Sequence, residues 1–237
     1  MAAENSTPRK ILMVLTSHGQ LGDTGKTTGF YVGEASHPYD VFKQAGYDIS
    51  LVSPQGGEPP QDGEDPDDSL NQKFLEEMAD QLKTTATPEQ IDASDYDAVF
   101  FAGGHGTMWD FPDNKTLAQI VAQVYEAGGI VGAVCHGPSA LVNVRLSNGS
   151  YLVTGKTVNS FTNEEEKEVG LDQVVPFLLE SKLVERGAIF KKSPKFECHV
   201  ETSERLVTGQ NPASAKAVAT QMWALLENAN RDLSVVP

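Results

Sequence analysis

Gly129-Ile130-Val131-Gly132-Ala133-Val134-Cys135-His136-Gly137-Pro138-Ser139-Ala140 decides how this chain is read. An apolar run of strand length ends at a cysteine flanked two residues either side by Ala133 and Gly137. Small residues at those positions are the steric requirement of a nucleophile elbow, a strained turn that lifts the sulfur above the carboxyl edge of a sheet. A helix expected to follow would aim its N-terminal N–H groups at the sulfur, and His136 adds an imidazole, both favouring a thiolate. The alternative is a buried small hydrophobe, which the adjacent histidine and flanking glycines disfavour.

Outward from the elbow, short apolar runs recur at Ile11 to Leu15, Ile49 to Val52 and Ala98 to Phe101, with weaker ones at Lys156 to Val158 and Arg205 to Val207. Runs apolar on both sides suit strands of a parallel sheet covered on both faces. Helical spacing lies between them: Leu117, Ile120, Val121 and Val124 share one face, as do Val218, Met222, Leu225 and Leu226. Asn211-Pro212 reads as an N-cap and first helical position. The result is an α/β fold, a parallel sheet with helices on both faces, whose function sits at the carboxyl ends of the strands. One domain over 10–230 is expected, with a flexible N-terminus at 1–9, an acidic loop at 55–72 and a C-terminal tail at 231–237.

Eighteen basic against 33 acidic residues give a formal charge of −15, which repels nucleic acid and anionic membranes. No apolar run is long enough to span a bilayer, and residues 1–8 lack the regions of a signal peptide, so a cytoplasmic protein with reduced Cys135 and Cys198 is expected.

Other chemistry is weaker. Ala102-Gly103-Gly104-His105-Gly106-Thr107 ends the neighbouring strand and reads either as a tight turn or as the second half of an oxyanion hole with the His136 N–H. Glu34 reads either as a carboxyl buried beside the thiol, sharing a proton with it, or as an exposed helix-start residue. Gly22 to Thr27 resembles a P-loop but has Gln20 where that motif requires glycine. The pairs Cys135-His136 and Cys198-His199 lack zinc spacing, so no metal is expected, and His18, His37 and His105 read as structural or surface histidines.

With Cys135, Gly103-Gly104-His105-Gly106 and Glu34 in hand, the chain resembles the ThiJ/PfpI superfamily, whose fold is flavodoxin-like. Gly33 to Pro38, Ala102 to Thr107, Ala133 to Pro138 and Val207 to Ser214 look most like its branch of glyoxalase III enzymes and heat-shock holding chaperones. The resemblance implies a Cys-His-acid triad on a homodimer, with Cys135 as nucleophile, His136 as base, Glu34 beside the sulfur, and Gly104 and His136 as oxyanion donors. It also implies no cofactor. The triad acid follows Phe161, where Glu164, Glu165 and Glu166 leave the register open; Glu166 is preferred and Glu165 second. The implied activity is conversion of methylglyoxal or glyoxal without glutathione, of the D-lactate dehydratase type, with protein deglycation using the same thiol. Rival readings are a stress-response holding chaperone for unfolded clients, with a redox-sensing cysteine, and an intracellular peptidase or amidase.

Overall fold

The computed structural model describes residues 9–233. Six strands form one sheet: β1 (Lys10–Val14), β2 (Asp48–Val52), β3 (Ala98–Phe101), β4 (Ile130–Val134), β5 (Val200–Ser203) and β6 (Leu206–Gly209), in the order β2-β1-β3-β4-β6-β5. All pairs are parallel except β6 with β5. Apolar runs made this layout, because β1, β3 and β4 have core on both sides. Leu12, Val14, Val99, Phe101 and Val131 pack on one face, beneath the face of α3 (Lys115–Glu126) that carries Leu117, Ile120, Val121 and Val124. Ile11, Met13, Phe100, Ile130 and Val134 pack on the other, against Ala35, Tyr39 and Phe42 of α1 (Val32–Gln44) and Val218 and Met222 of α6 (Ala215–Leu233). Between these helices lie α2 (Ser69–Glu77), α4 (Asn163–Glu168) and α5 (Leu179–Glu185).

Four local expectations change. Thr157–Val158 does not join the main sheet but pairs with Ile189–Phe190 in a separate ribbon. The acidic segment ends earlier than residue 72, because Asp68 accepts the N–H of Leu70 and starts α2, and within it Gln61–Asp62 pairs with Phe30–Tyr31. Asn211 does not cap the last helix; a 3-10 turn at Pro212–Ser214 precedes it, and the Asn211 side chain is used elsewhere. No α-helix starts directly after Cys135. Its place is taken by a buried 3-10 turn, Gly137–Leu141, after which the chain turns into the Arg145–Tyr151 bridge. Of the expected terminal segments, 1–8 and 234–237 lie outside the described residues, and 231–233 continue the last helix.

Candidate active site

Cys135 sits one residue past β4, at the carboxyl edge of the sheet, with φ of 59°. A non-glycine residue held there stores about 1–3 kcal/mol of strain, which persists only because its surroundings fix it. Both sides of its backbone are pinned: its N–H donates to Gly209 O at 2.9 Å and its carbonyl accepts from Phe161 N at 2.8 Å. The side chain is 4% exposed.

Four side chains converge around the sulfur. Cys135 Sγ lies 3.3 Å from His136 Nδ1, and His136 Nε2 lies 2.7 Å from Glu166 Oε2. The other carboxylate oxygen, Oε1, lies 2.9 Å from His105 Nε2. Glu34 enters from the first turn of α1, where its Oε2 accepts the Gly103 N–H at 2.9 Å and its carboxyl meets the thiol. Glycines permit this convergence. A Cβ on Gly103 would lie 2.4 Å from Glu34 Oε2 and 2.8 Å from His136 N, and one on Gly104 (φ +100°) would strike Gly29 O at 2.2 Å. Among the described residues the N–H groups of Gly104 and His136 have no acceptor, and Thr107 Oγ1 ties their two loops, its single proton shared between the carbonyls of Gly104 at 2.9 Å and His136 at 3.0 Å.

The three consecutive glutamates separate by environment. Glu164 is exposed and pairs with Lys192 at 3.0 Å. Glu165 forms a capping box with Thr162 and also accepts Phe196 N, Gln210 Nε2 and Asn211 Nδ2, binding the segment around residue 196 to the end of β6. Glu166 is the one that reaches His136. Glu165→Ala is expected to cost on the order of 2–3 kcal/mol in urea unfolding, because buried donors lose their acceptor. Glu166→Gln is expected to lower turnover about 10²-fold and to lose stability at neutral pH, because the fold favours the ionised carboxylate, a loss that fades as the pH falls toward 2. Wild-type turnover in Glu166→Gln, or wild-type stability in Glu165→Ala, would contradict this division.

Electrostatics correct the expected low-pKa thiol. Burial pushes the Cys135 thiol well up, and the charges of Glu34, Glu166 and Glu165 push it further. His136 offers no cation, since burial and the neighbouring His105 bring it down to about 4. The expected helix dipole is absent because the elbow opens into a 3-10 turn. Burial also raises Glu34 to about 8 against the opposing contacts with the thiol and Gly103 N–H. Burial pushes Glu166 the same way, but its hydrogen bonds from His105 and His136 overcome this and hold it near 2. At neutral pH the site is therefore a thiol, a neutral imidazole, a protonated Glu34 and an ionised Glu166. An ionised Glu166 keeps the proton on His136 Nε2, leaving Nδ1 as the acceptor facing the sulfur.

Sequence reading assigned His105 no role here, although its place in Gly-Gly-His-Gly at the next strand end was a signal. Phe161 was also missed; its ring lies 4.6 Å from His136 and helps to bury it. One donor atom from each of His105, His136 and Glu166 lies within 4.8 Å of the others, a spacing open to a metal ion; both Nε2 atoms and both Glu166 oxygens are engaged in the 2.7 and 2.9 Å hydrogen bonds.

The model of the DJ-1/PfpI family matches residues 27–225. The chain belongs to the DJ-1/PfpI family. Among relatives it is 36% identical to "Glyoxalase 3" of Candida albicans, over 92% of this chain and 98% of that one. It is 33% identical to "Glutathione-independent glyoxalase HSP31" of Saccharomyces cerevisiae, over 93% and 99%. A crystal structure of glyoxalase III from Candida albicans superposes with a TM-score of 0.85 at 32% identity, covering 92% of this chain and 97% of that one. The family fold, a mostly parallel sheet between helices, is the one expected.

Proposed function

We propose that this protein is a glutathione-independent glyoxalase that converts methylglyoxal to lactate through Cys135. The observation that carries the reading is the hydrogen-bonded series Cys135, His136, Glu166 at a strained elbow, with the Glu34 carboxyl beside the thiol. Its near-complete alignment with relatives named as glyoxalases supports the same reaction.

In this reading His136 Nδ1 takes the thiol proton as the sulfur attacks the aldehyde carbon. The oxyanion meets the unpartnered N–H groups of Gly104 and His136, giving a hemithioacetal. Its C1 proton is then moved to C2 by Glu34 or His136, forming a lactoyl thioester. A carboxyl with pKa near 8 suits this exchange because it gives and takes a proton close to neutral pH. Water cleaves the thioester, releasing lactate and restoring the thiol; overall, one water is added to methylglyoxal.

A thiol only 4% exposed favours a three-carbon or two-carbon dicarbonyl over a polypeptide, which weighs against a peptidase. The reading includes a cytoplasmic homodimer; for location, the supporting observation is that no helix among the described residues is long and apolar enough to cross a membrane. The test is incubation of pure protein with methylglyoxal in the absence of glutathione and added metal. Lactate is expected, and its absence under all conditions would remove the enzymatic reading.

A further inference from the structure

His105 is more than a neighbour of the triad. It leaves the end of β3 between Gly104 and Gly106, and both glycines are demanded by close approach: a Cβ on Gly106 would lie 2.3 Å from His18 O. So the turn that presents the Gly104 N–H also fixes where His105 stands. From there Nε2 reaches Glu166 Oε1 at 2.9 Å, while the ring lies 4.1 Å from the His136 ring and 6.0 Å from Phe161. The two imidazoles thus divide one carboxylate, one oxygen each.

This division has a physical consequence. The Glu166 side chain is 3% exposed, and without His105 its Oε1 would be a buried anionic oxygen with no donor. Such a carboxylate is relieved by rotating toward the cleft or by taking a proton, and either change loosens its hold on the His136 Nε2–H. Once that proton is free to shift to Nδ1, the nitrogen facing the thiol can no longer accept from it.

We propose that His105 is a positioning residue which, by occupying Glu166 Oε1, locks Oε2 onto His136 and thereby keeps His136 Nδ1 available to the Cys135 thiol. Among the described residues His105 Nδ1 has no partner, and the side chain is 19% exposed, so the ring's hydrogen bond to the triad is made through Nε2 alone. For its effect on turnover the inference rests on the proposed glyoxalase reaction, but its effect on the thiol does not.

Two substitutions separate donor from bulk. In His105→Gln the amide nitrogen falls near the place of Nε2 and still donates; in His105→Asn the side chain is one carbon too short. The experiment compares turnover of methylglyoxal, iodoacetamide labelling of the Cys135 peptide at pH 7, and the 15N shifts of the His136 ring. For His105→Asn we expect kcat and the labelling rate to fall at least about tenfold, with KM within about twofold. Its His136 resonances should report mixed tautomers. His105→Gln is expected to keep both rates within about threefold of wild type and a single Nε2–H tautomer. Wild-type labelling and tautomer in the Asn variant would overturn the proposal, as would a Gln variant impaired as deeply as Asn. If wild type makes no lactate but the Asn variant labels tenfold more slowly, the glyoxalase reading fails and the positioning role stands.

Discussion

Cys135→Ala is expected to abolish lactate formation, a loss of at least about 10³-fold, while the protein remains folded. The substitution removes one sulfur from a buried site and leaves the backbone bonds to Gly209 O and Phe161 N in place. Stability should therefore change by no more than about 1–2 kcal/mol. Alanine stays in the same left-handed conformation, so the strain is kept, whereas the covalent route loses its only bond-forming atom. Suppression of client aggregation, if the protein acts as a holding chaperone, does not need the sulfur and should persist in the variant. Lactate formation and light scattering by a heated client, measured on both proteins, separate the two activities. Residual turnover in the alanine variant would show that the thiol is not the nucleophile.

Glu34→Gln should stabilise the protein increasingly as pH rises. The folded carboxyl is raised to about 8 from an ordinary value of 4.5, with burial the main cause. A raised folded pKa means that the contribution of the protonated carboxyl is fully present below pH 4.5 and is lost as pH rises through 8, because the unfolded chain ionises first. At pH 7 this amounts to about 3 kcal/mol, and it grows by about 1.4 kcal/mol per pH unit until pH 8. Glutamine cannot ionise, and its carbonyl still accepts the Gly103 N–H. Urea unfolding at pH 4, 7 and 8.5 should give nearly equal stabilities at pH 4 and a widening gap above it. A gap independent of pH would mean that Glu34 is ionised in the native protein. Turnover should fall in the same variant, so that stability and catalysis move in opposite directions.

Glu166 works in the reverse sense. Its folded pKa is depressed to about 2, so its contribution is present above 4.5 and is lost as the pH falls toward 2. Acid below pH 4 should accordingly loosen the region around α4 and His136 first, readable as hydrogen exchange of the Glu166 and Val169 amides, which bond to Thr162 O and Glu165 O.

The sequence by itself determined the sheet and its two covered faces, because β1, β3 and β4 are apolar at consecutive positions and the intervening helices repeat apolar residues every three to four. It also determined the elbow, since Ala133, Gly137 and the cysteine between them are adjacent in the chain and steric demand acts locally. Tertiary structure alone decided the rest. Which of three glutamates meets His136 depends on a capping box at Thr162 that turns Glu165 inward to Phe196, Gln210 and Asn211, and no spacing rule in the sequence carries that information. His105 could not be assigned for a like reason: it comes to Glu166 across 61 residues, by the packing of the turn after β3 against α4. Protonation states were the least legible of all. Adjacency of Cys135 to His136 suggested a thiolate, yet charge in this site follows burial, and burial of Cys135, Glu34 and His136 together keeps all three neutral, a collective property that only the folded chain possesses.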